Sequence, residues 1–258
     1  MKKILSIFLA AALLICLASC SKQPTNPENP DEDDNNNGYS VEDGNASFKY
    51  EITTLNTIRI TGYSGKYEQH AITVPSEIEG IEVTEIAAQA FYYANNITSV
   101  TLPDTINTIG DWAFAGCSYL TSVNIPEGVT AIGEGTFYRC ILIEEQKLPS
   151  TLTSVGRFAF YECAALTSID IPASVTEIGD SAFWGCTALT AVNGASGLKQ
   201  LGGYVYNGCT ALTDVTLTAS VEKIGSYAFN DCTELKLKVE SGSYAEKYAT
   251  ENGYTIAK

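Results

Sequence analysis

The feature that most constrains this chain is a repeat of 23 residues. An aromatic residue recurs at this spacing seven times, from Phe91 to Phe229, and glycine, cysteine and aliphatic residues recur in other columns of the same register. The cysteine column has six members, at positions 117, 140, 163, 186, 209 and 232. Several columns in one register predict a solenoid, because a single coil cannot bury its apolar side chains without the next coil.

Each unit contains two apolar segments. Residues 120–126 alternate apolar and polar positions, which predicts a half-buried strand that ends at Pro126 because proline lacks an N–H. Val129 and Ile132 predict a second short segment, and Gly133 is expected at a corner with positive φ. Coils stacked about 4.8 Å apart would place identical side chains above one another as ladders.

The repeat pattern, roughly L-x-x-V-x-I-P-x-x-V-x-x-I-G-x-x-A-F-x-x-C, resembles the BspA-like class of leucine-rich repeats found on bacterial surface proteins. The resemblance extends over residues 39–258. It implies a β-rich α/β solenoid, built as a right-handed stack of leucine-rich-repeat coils. We place seven 23-residue units at residues 84–238, an N-terminal β cap at 39–83 and a C-terminal cap with a short helix at 239–258.

Both caps carry local signals. Pro75 lies 28 residues before Pro103 instead of 23, and the excess around residues 79–83 predicts a small hairpin. Near the other end, Ser243 and Glu246 have the spacing of a capping box. The sequence therefore predicts a helix over the last coil, where it would hide the open edge of the solenoid.

The start of the chain has the features of an exported protein. Residues 1–19 combine two lysines with an apolar run of about 14 residues, which is too short to span a bilayer and typical of a signal peptide. The end of this run resembles the lipobox of bacterial lipoproteins, which implies a diacylated Cys20; the alternative is an ordinary signal peptide that happens to hold a cysteine. Residues 20–38 contain no aromatic or aliphatic side chain and predict a disordered tether. The resemblance implies an outer-membrane lipid anchor as the only membrane contact, and the acidic run at 31–34 suggests display on the outer surface.

Charge and histidine content restrict the possible chemistry. The formal net charge is −15, so a polyanion such as nucleic acid is repelled and is not expected as a partner. His70 is the single histidine, which excludes clusters of histidine ligands. It has no evident nucleophile or orienting acid beside it and is expected at the surface. We expect neither an enzyme nor a cofactor.

The cysteine column admits two interpretations, a metal-binding or redox array and a ladder of buried thiols. Metal sites use cysteine pairs two to four residues apart, whereas these cysteines are 23 apart. Stacked cysteines with parallel Cβ vectors also have poor disulfide geometry. We therefore expect free thiols that act as small buried apolar groups.

The outward positions of the main strand form one candidate ligand surface. They include Asn124, Lys147 and Asp170, which would line a shallow polar track. Small polar residues are equally ordinary on any exposed strand, so the pattern leaves both interpretations open.

An aromatic stripe forms a second candidate surface. Tyr138, Tyr161 and Trp184 follow the phenylalanine column by one residue in consecutive coils. Pointing outward, they would suit stacking on sugar rings or anchoring a protein. The alternative is that they pack along the turns and only cover the core.

Two segments depart from the repeat. Gln146 stands where Val123 and Ile169 predict an aliphatic core residue, and residues 192–198 lack the proline. Each is either a local irregularity that shapes a site or simple drift. We expect a monomeric, non-enzymatic cell-surface protein, and the family resemblance implies that it binds a protein or glycan ligand in adhesion. The alternative is a structural or assembly component of the cell envelope that binds a neighbouring envelope protein.

Overall fold

The computed structural model describes residues 39–43, 46–65 and 70–257. The predicted signal peptide, Cys20 and the tether lie outside these residues. The N-terminal strands, in chain order, are β1 (Tyr39–Asp43), β2 (Ala46–Ile52), β3 (Ile58–Gly65), β4 (His70–Thr73), β5 (Glu77–Ile78) and β6 (Ile81–Ile86).

The N-terminal cap is an antiparallel meander that leads into parallel coils. β1, β2 and β3 pair antiparallel in that order, and β3 then pairs in parallel with β6. β5 and β6 form the predicted hairpin, joined by Glu79 and Gly80 at φ of 53° and 77°. Two residues with positive φ are what a tight hairpin loop requires, so the five-residue excess is confirmed as this hairpin.

The repeated part continues with short strands on two sides of each coil. In chain order they are β7 (Ile97–Thr101), β8 (Thr108–Ile109), β9 (Ser122–Val123), β10 (Ala131–Ile132), β11 (Ser154–Val155), β12 (Ser168–Ile171), β13 (Glu177–Ile178), β14 (Ala191–Gly194), β15 (Gln200–Leu201), β16 (Asp214–Leu217), β17 (Lys223–Ile224), β18 (Lys236–Val239) and, after helix α1 (Tyr244–Glu251), β19 (Thr255–Ile256).

Within each sheet these strands pair in parallel with a spacing of 23 residues except at the two ends, but β8 does not pair with β10 and β9 does not pair with β12. We call the side formed by β4, β7, β9, β12, β14, β16, β18 and β19 the main side, and the side formed by β6, β8, β10, β11, β13, β15 and β17 the second side. Because β4 already pairs with β7 and β6 with β8, the cap contributes a coil of its own. The solenoid therefore makes about eight turns, one more than the seven units counted in the sequence.

The aromatic column forms the core. Phe91, Phe114, Phe137, Phe160, Phe183, Tyr206 and Phe229 are at most 1% exposed. Successive rings are stacked with centroids 5.0 to 5.6 Å apart and interplanar angles of 2° to 17°. This ladder confirms that each coil buries its interior against the next.

The six cysteines of the repeat are free and buried, as expected. Each thiol also donates to the carbonyl of the aromatic residue 26 positions earlier, at 3.0 to 3.1 Å between sulfur and oxygen, as in Cys163 to Phe137. The sequence pattern does not reveal this bond. It explains why a residue that is small and also a weak donor occupies the column.

The expectation of positive φ at Gly133 is wrong. Neither Gly133 nor any other member of its column has positive φ. A Cβ at Gly179 would instead lie 2.6 Å from the backbone nitrogen of Arg157, and a Cβ at Gly225 would lie 2.3 Å from the backbone nitrogen of Gly203. Glycine is needed here because the backbones of adjacent coils approach too closely for a side chain.

Positive φ occurs in two other columns of the repeat. One contains Gln89, Trp112, Gly135, Phe158, Ser181, Tyr204 and Tyr227, with φ of 55° to 60°. We call it the corner column. The second follows four residues later and includes Arg139 and Glu162. In the corner column, backbone bonds to the next coil, such as Trp112 N to Glu134 O at 2.7 Å, stabilise the left-handed conformation.

The C-terminal cap agrees with the expected capping box. Ser243 is the N-cap of α1, and its hydroxyl accepts the Glu246 N–H at 3.1 Å. The Glu246 carboxylate accepts the Gly242 N–H at 2.7 Å instead of the Ser243 N–H. Ala245 and Ala249 are fully buried against the last coil. Among the described residues, no helix has the length and apolar content needed to cross a bilayer.

Candidate ligand-binding surfaces

The main side is interrupted at one coil. β9 has no strand partner in the following coil, where only an isolated bridge joins Glu145 to Ser168. We call residues 139–148 the irregular coil. The other departure from the repeat, residues 192–198, begins in a regular strand, since β14 pairs in register with β12. The missing proline there is replaced by a turn at Gly194 and Ala195, both with positive φ.

Gln146 occupies a core position in the irregular coil and is 5% exposed. Its Nε2 donates to the Val123 carbonyl at 2.8 Å and to the Lys147 carbonyl at 2.9 Å. The first bond replaces a backbone bond that the interrupted strand does not make. Within the described part of the chain its Oε1 has no hydrogen-bond partner, and such a buried acceptor costs on the order of 1–3 kcal/mol.

Two depressions flank the irregular coil on the main side. We call the larger the sheet groove; it has a volume of about 880 Å³ and is lined by Glu145, Gln146, Lys147, Ser168, Asp170 and Asn193, among others. The smaller has about 460 Å³, and Glu145, Gln146 and Lys147 line it as well. The volume of the sheet groove lies within the range of about 300–1,000 Å³ usual for ligand pockets.

The three polar residues predicted on the main strand differ in availability. Asn124 is exposed, but its Oδ1 accepts the Leu102 N–H at 2.7 Å and its Nδ2 donates to the Leu102 carbonyl at 2.8 Å. Its amide therefore already pairs with the backbone of the preceding coil. Asp170 is exposed and accepts one bond from Asn193 at 2.9 Å. Lys147 is exposed and, within the described residues, has no ion-pair partner.

An apolar patch that was not predicted from the sequence lies beside the sheet break. Tyr119, Ile141 and Leu142 are 44%, 43% and 42% exposed, and Leu142 stands one repeat after Tyr119. The later coils have alanine at the Leu142 position, at 165, 188 and 211. Glu144 and Glu145 line a small depression with Leu142, so the patch has an acidic border.

The predicted aromatic stripe is a stack of three rings. Tyr138 and Tyr161 are 4.9 Å apart and Tyr161 and Trp184 are 4.6 Å apart, with interplanar angles of 13° and 7°. All three rings are half-buried, and burial raises the pKa of the Tyr161 hydroxyl. Tyr161 therefore has a stacked ring on each side, which disfavours stacking of a sugar ring on that residue. Trp184 stacks on Tyr161 alone among the described residues, and the residue one repeat later is Asn207.

The described ranges show no candidate metal centre. No group of three or more histidine, cysteine or acidic residues gathers there in a way that could hold a metal ion. His70 is half-buried, and its Nε2 lies 3.0 Å from the Tyr63 hydroxyl. Burial raises the pKa of the Cys163 thiol to about 12, so this sulfur is a poor nucleophile at neutral pH.

Comparison with known protein families identifies the repeat. The model of the family described as "BspA type Leucine rich repeat region" matches residues 84–209 and 119–236, with six copies. The matched residues make up more than half of the chain. No curated protein matches the chain significantly.

Solved structures share the solenoid. A leucine-rich repeat protein from T. pallidum matches with a TM-score of 0.70 and 30% identity, over 81% of this chain and 97% of that protein. A leucine-rich repeat protein from Bacteroides ovatus matches with a TM-score of 0.71 and 29% identity, over 78% of this chain and 53% of that protein, so this chain spans about half of it. The pneumococcal vaccine antigen PcpA has the same fold, with a TM-score of 0.51 at 22% identity over 80% of this chain and 51% of the antigen.

Proposed function

Because the chain belongs to the BspA-type leucine-rich repeat family, we propose that it is a non-enzymatic, lipid-anchored surface protein whose irregular coil binds a partner protein in adhesion. Leucine-rich repeat proteins are generally protein-interaction modules. The lipid on Cys20 and the outer-membrane location are part of this proposal. They are supported by the signal-peptide pattern of residues 1–19.

The interruption of the main side is the observation that carries the proposal. A solenoid gains stability from regular stacking, yet the irregular coil has a polar core residue, Gln146, and two exposed aliphatic residues, Ile141 and Leu142. The buried amide is unfavourable for the fold alone, and the two aliphatic side chains are exposed where later coils have smaller residues. A binding surface accounts for all three, since functional sites are where local rules are broken.

The chemistry of this surface favours a protein segment that combines apolar and basic side chains. Tyr119, Ile141 and Leu142 supply the apolar anchor, which is the type of contact that contributes most at protein interfaces. Glu144 and Glu145 border it with negative charge, and the net charge of −15 favours a basic partner during encounter.

Restoring the repeat at the irregular coil tests the proposal. The double variant Ile141→Thr and Leu142→Ala replaces both residues with those at 187 and 188 in a regular coil. Binding of residues 39–258 would be measured on immobilised extracellular-matrix proteins and on envelope proteins of the producing bacterium. We expect the wild type to bind at least one matrix protein and the variant to bind it at least tenfold more weakly, with no loss of melting temperature.

A matched control is Thr210→Ile with Ala211→Leu, which places the same pair in a different coil of the wild-type background. We expect it to leave binding unchanged. Equal binding by the wild type and the restored variant would remove the irregular coil as the site. Binding to an envelope protein alone would instead support the structural or assembly role.

A further inference from the structure

The corner column contains two gaps between large aromatic residues. Its successive members include Trp112, Gly135, Phe158, Ser181 and Tyr204, followed by Tyr227 in the next coil. Gly135 separates the first two rings and Ser181 separates the next two. Since the coils are stacked about 4.8 Å apart, rings on either side of a gap start roughly 10 Å apart.

The first gap is closed. The Trp112 and Phe158 rings lie 6.4 Å apart, and a Cβ at Gly135 would lie 2.3 Å from the Trp112 ring. The Trp112 ring therefore occupies the space beside Gly135.

The second gap is open. Tyr204 stacks on Tyr227 at 5.1 Å and 26°, on the side away from Ser181. Phe158, Ser181 and Tyr204 line a cleft of about 610 Å³, which we call the corner slot. It shares no residue with the sheet groove, so it is a separate site on another side of the coils.

The rim of the corner slot is polar and balanced in charge. Arg157, Asp180, Glu177, Gln200 and Lys223 line it, two basic and two acidic residues with one amide. The Arg157 guanidinium lies 5.1 Å from the Phe158 ring centroid, and its Nε is 4.0 Å from Asp180 Oδ2. That distance is too long for a hydrogen bond, and the side chain is 56% exposed, so a ligand can displace it toward the rim.

We propose that the corner slot binds one pyranose ring of a neutral glycan between Phe158 and Tyr204. An aromatic ligand stacked between Phe158 and Tyr204 would need the two side-chain rings about 7–8 Å apart, which is twice the optimal carbon–carbon separation. The roughly 10 Å of two coil steps suits a thicker, puckered ring. Arg157, Asp180 and Gln200 supply the donors and acceptors that neighbouring hydroxyl groups require. The net charge of −15 disfavours a polyanionic glycan.

Filling the gap is the sharpest test. Ser181 has φ of 55°, the conformation at which Phe158 and Tyr204 already hold aromatic side chains in the same column. The variant Ser181→Tyr should therefore fold and extend the aromatic stack while it blocks the slot. Soluble neutral hexasaccharides of glucose, mannose, galactose and N-acetylglucosamine, with a uronic-acid hexasaccharide for comparison, would be titrated into residues 39–258 by calorimetry.

We expect at least one neutral hexasaccharide to bind the wild type, and Ser181→Tyr and Tyr204→Ala each to weaken that binding at least tenfold. Ser168→Trp, which fills the sheet groove instead, should leave it unchanged. The proposal is overturned if no neutral hexasaccharide binds, if only the uronic-acid probe binds, or if Ser181→Tyr binds as tightly as the wild type. The irregular-coil variants should not affect this binding, so the two proposals fail separately.

Discussion

Each buried cysteine of the repeat joins two coils by packing and by a hydrogen bond. In Cys163, the sulfur lies 3.1 Å from the Phe137 carbonyl in the preceding coil. Burial raises the pKa of the Cys117, Cys163 and Cys232 thiols from 9.0 to about 12. The folded protein therefore keeps these thiols protonated at pH values where the unfolded chain ionises them.

This difference predicts a loss of stability at alkaline pH. The folded-state pKa is above the unfolded one, so between about pH 9 and pH 12 the unfolded chain binds fewer protons and the free energy of unfolding falls as pH rises. Each thiol contributes up to about 1.4 kcal/mol per pH unit in that range. We expect Cys163→Ala to have a lower free energy of unfolding than the wild type at neutral pH. Its free energy of unfolding should fall less steeply as pH rises, by the contribution of one thiol. Urea denaturation under reducing conditions from about pH 8 to pH 11 measures both slopes; identical slopes would show that Cys163 is not buried as described.

Residue types predict some of these features and not others. The phenylalanine and cysteine ladders follow from the sequence, because recurring apolar residues must be buried together. The left-handed corner column does not, since nothing about Trp112, Phe158 or Tyr204 favours positive φ. That conformation results from hydrogen bonds to the next coil, such as Tyr204 N to Ser226 O at 2.9 Å. The corner slot could not be predicted from the sequence for the same reason. Its walls, Phe158 and Tyr204, are recognised only once the backbone conformation of the corner column is known.

At the level of the elements, the main and second sides behave differently around the irregular coil. On the second side β10, β11 and β13 pair without interruption, while on the main side β9 has no following strand. At these coils the break is therefore confined to the main side, and the second side has a separate break one coil earlier, where β8 does not pair with β10. Gln146 signalled it in the sequence, but the sequence alone did not distinguish a shaped surface from drift.

Replacing Gln146 with the aliphatic residue of the repeat should close the break. In Gln146→Ile the unpaired Oε1 is removed, and the main chain can pair with β9 to satisfy the Val123 carbonyl. We expect the free energy of unfolding to rise by about 1 kcal/mol, with slower amide hydrogen exchange at residues 145–147.

The matched control is Ile169→Gln, the reverse change in a regular coil, which should destabilise by about 2–4 kcal/mol because it buries an amide where the backbone is already paired. Chemical denaturation of both variants gives the comparison. A drop in stability for Gln146→Ile would mean that the side-chain bond to the Val123 carbonyl outweighs the unpaired oxygen.

At the scale of the whole molecule, stability is a sum over neighbouring coils, so the two ends decide whether the stack is soluble. The antiparallel meander covers the first coil, and α1 covers the last through Ala245 and Ala249. Tyr248 and Tyr254 pack against the last ring of the aromatic column, Phe229, at 6.4 and 5.7 Å. Both caps were predictable, because an open solenoid edge must be covered. The extra coil within the N-terminal cap was not, since its spacing is obscured by the hairpin.

Detaching α1 from the last coil would expose the open edge of the solenoid, which can then pair with another molecule. In Ala249→Asp a charge replaces a fully buried methyl group at the contact with the last coil, and an unpaired buried charge forces the helix away. We expect the melting temperature to fall and the protein to self-associate through the uncovered edge, as seen by light scattering after size-exclusion chromatography. Lys247→Asp, on the exposed face of the same helix, changes the charge without touching the contact and should remain monomeric. If Ala249→Asp also stays monomeric and equally stable, the helix does not protect the stack, and the edge of the last coil must be tolerated in solution by its own polar backbone.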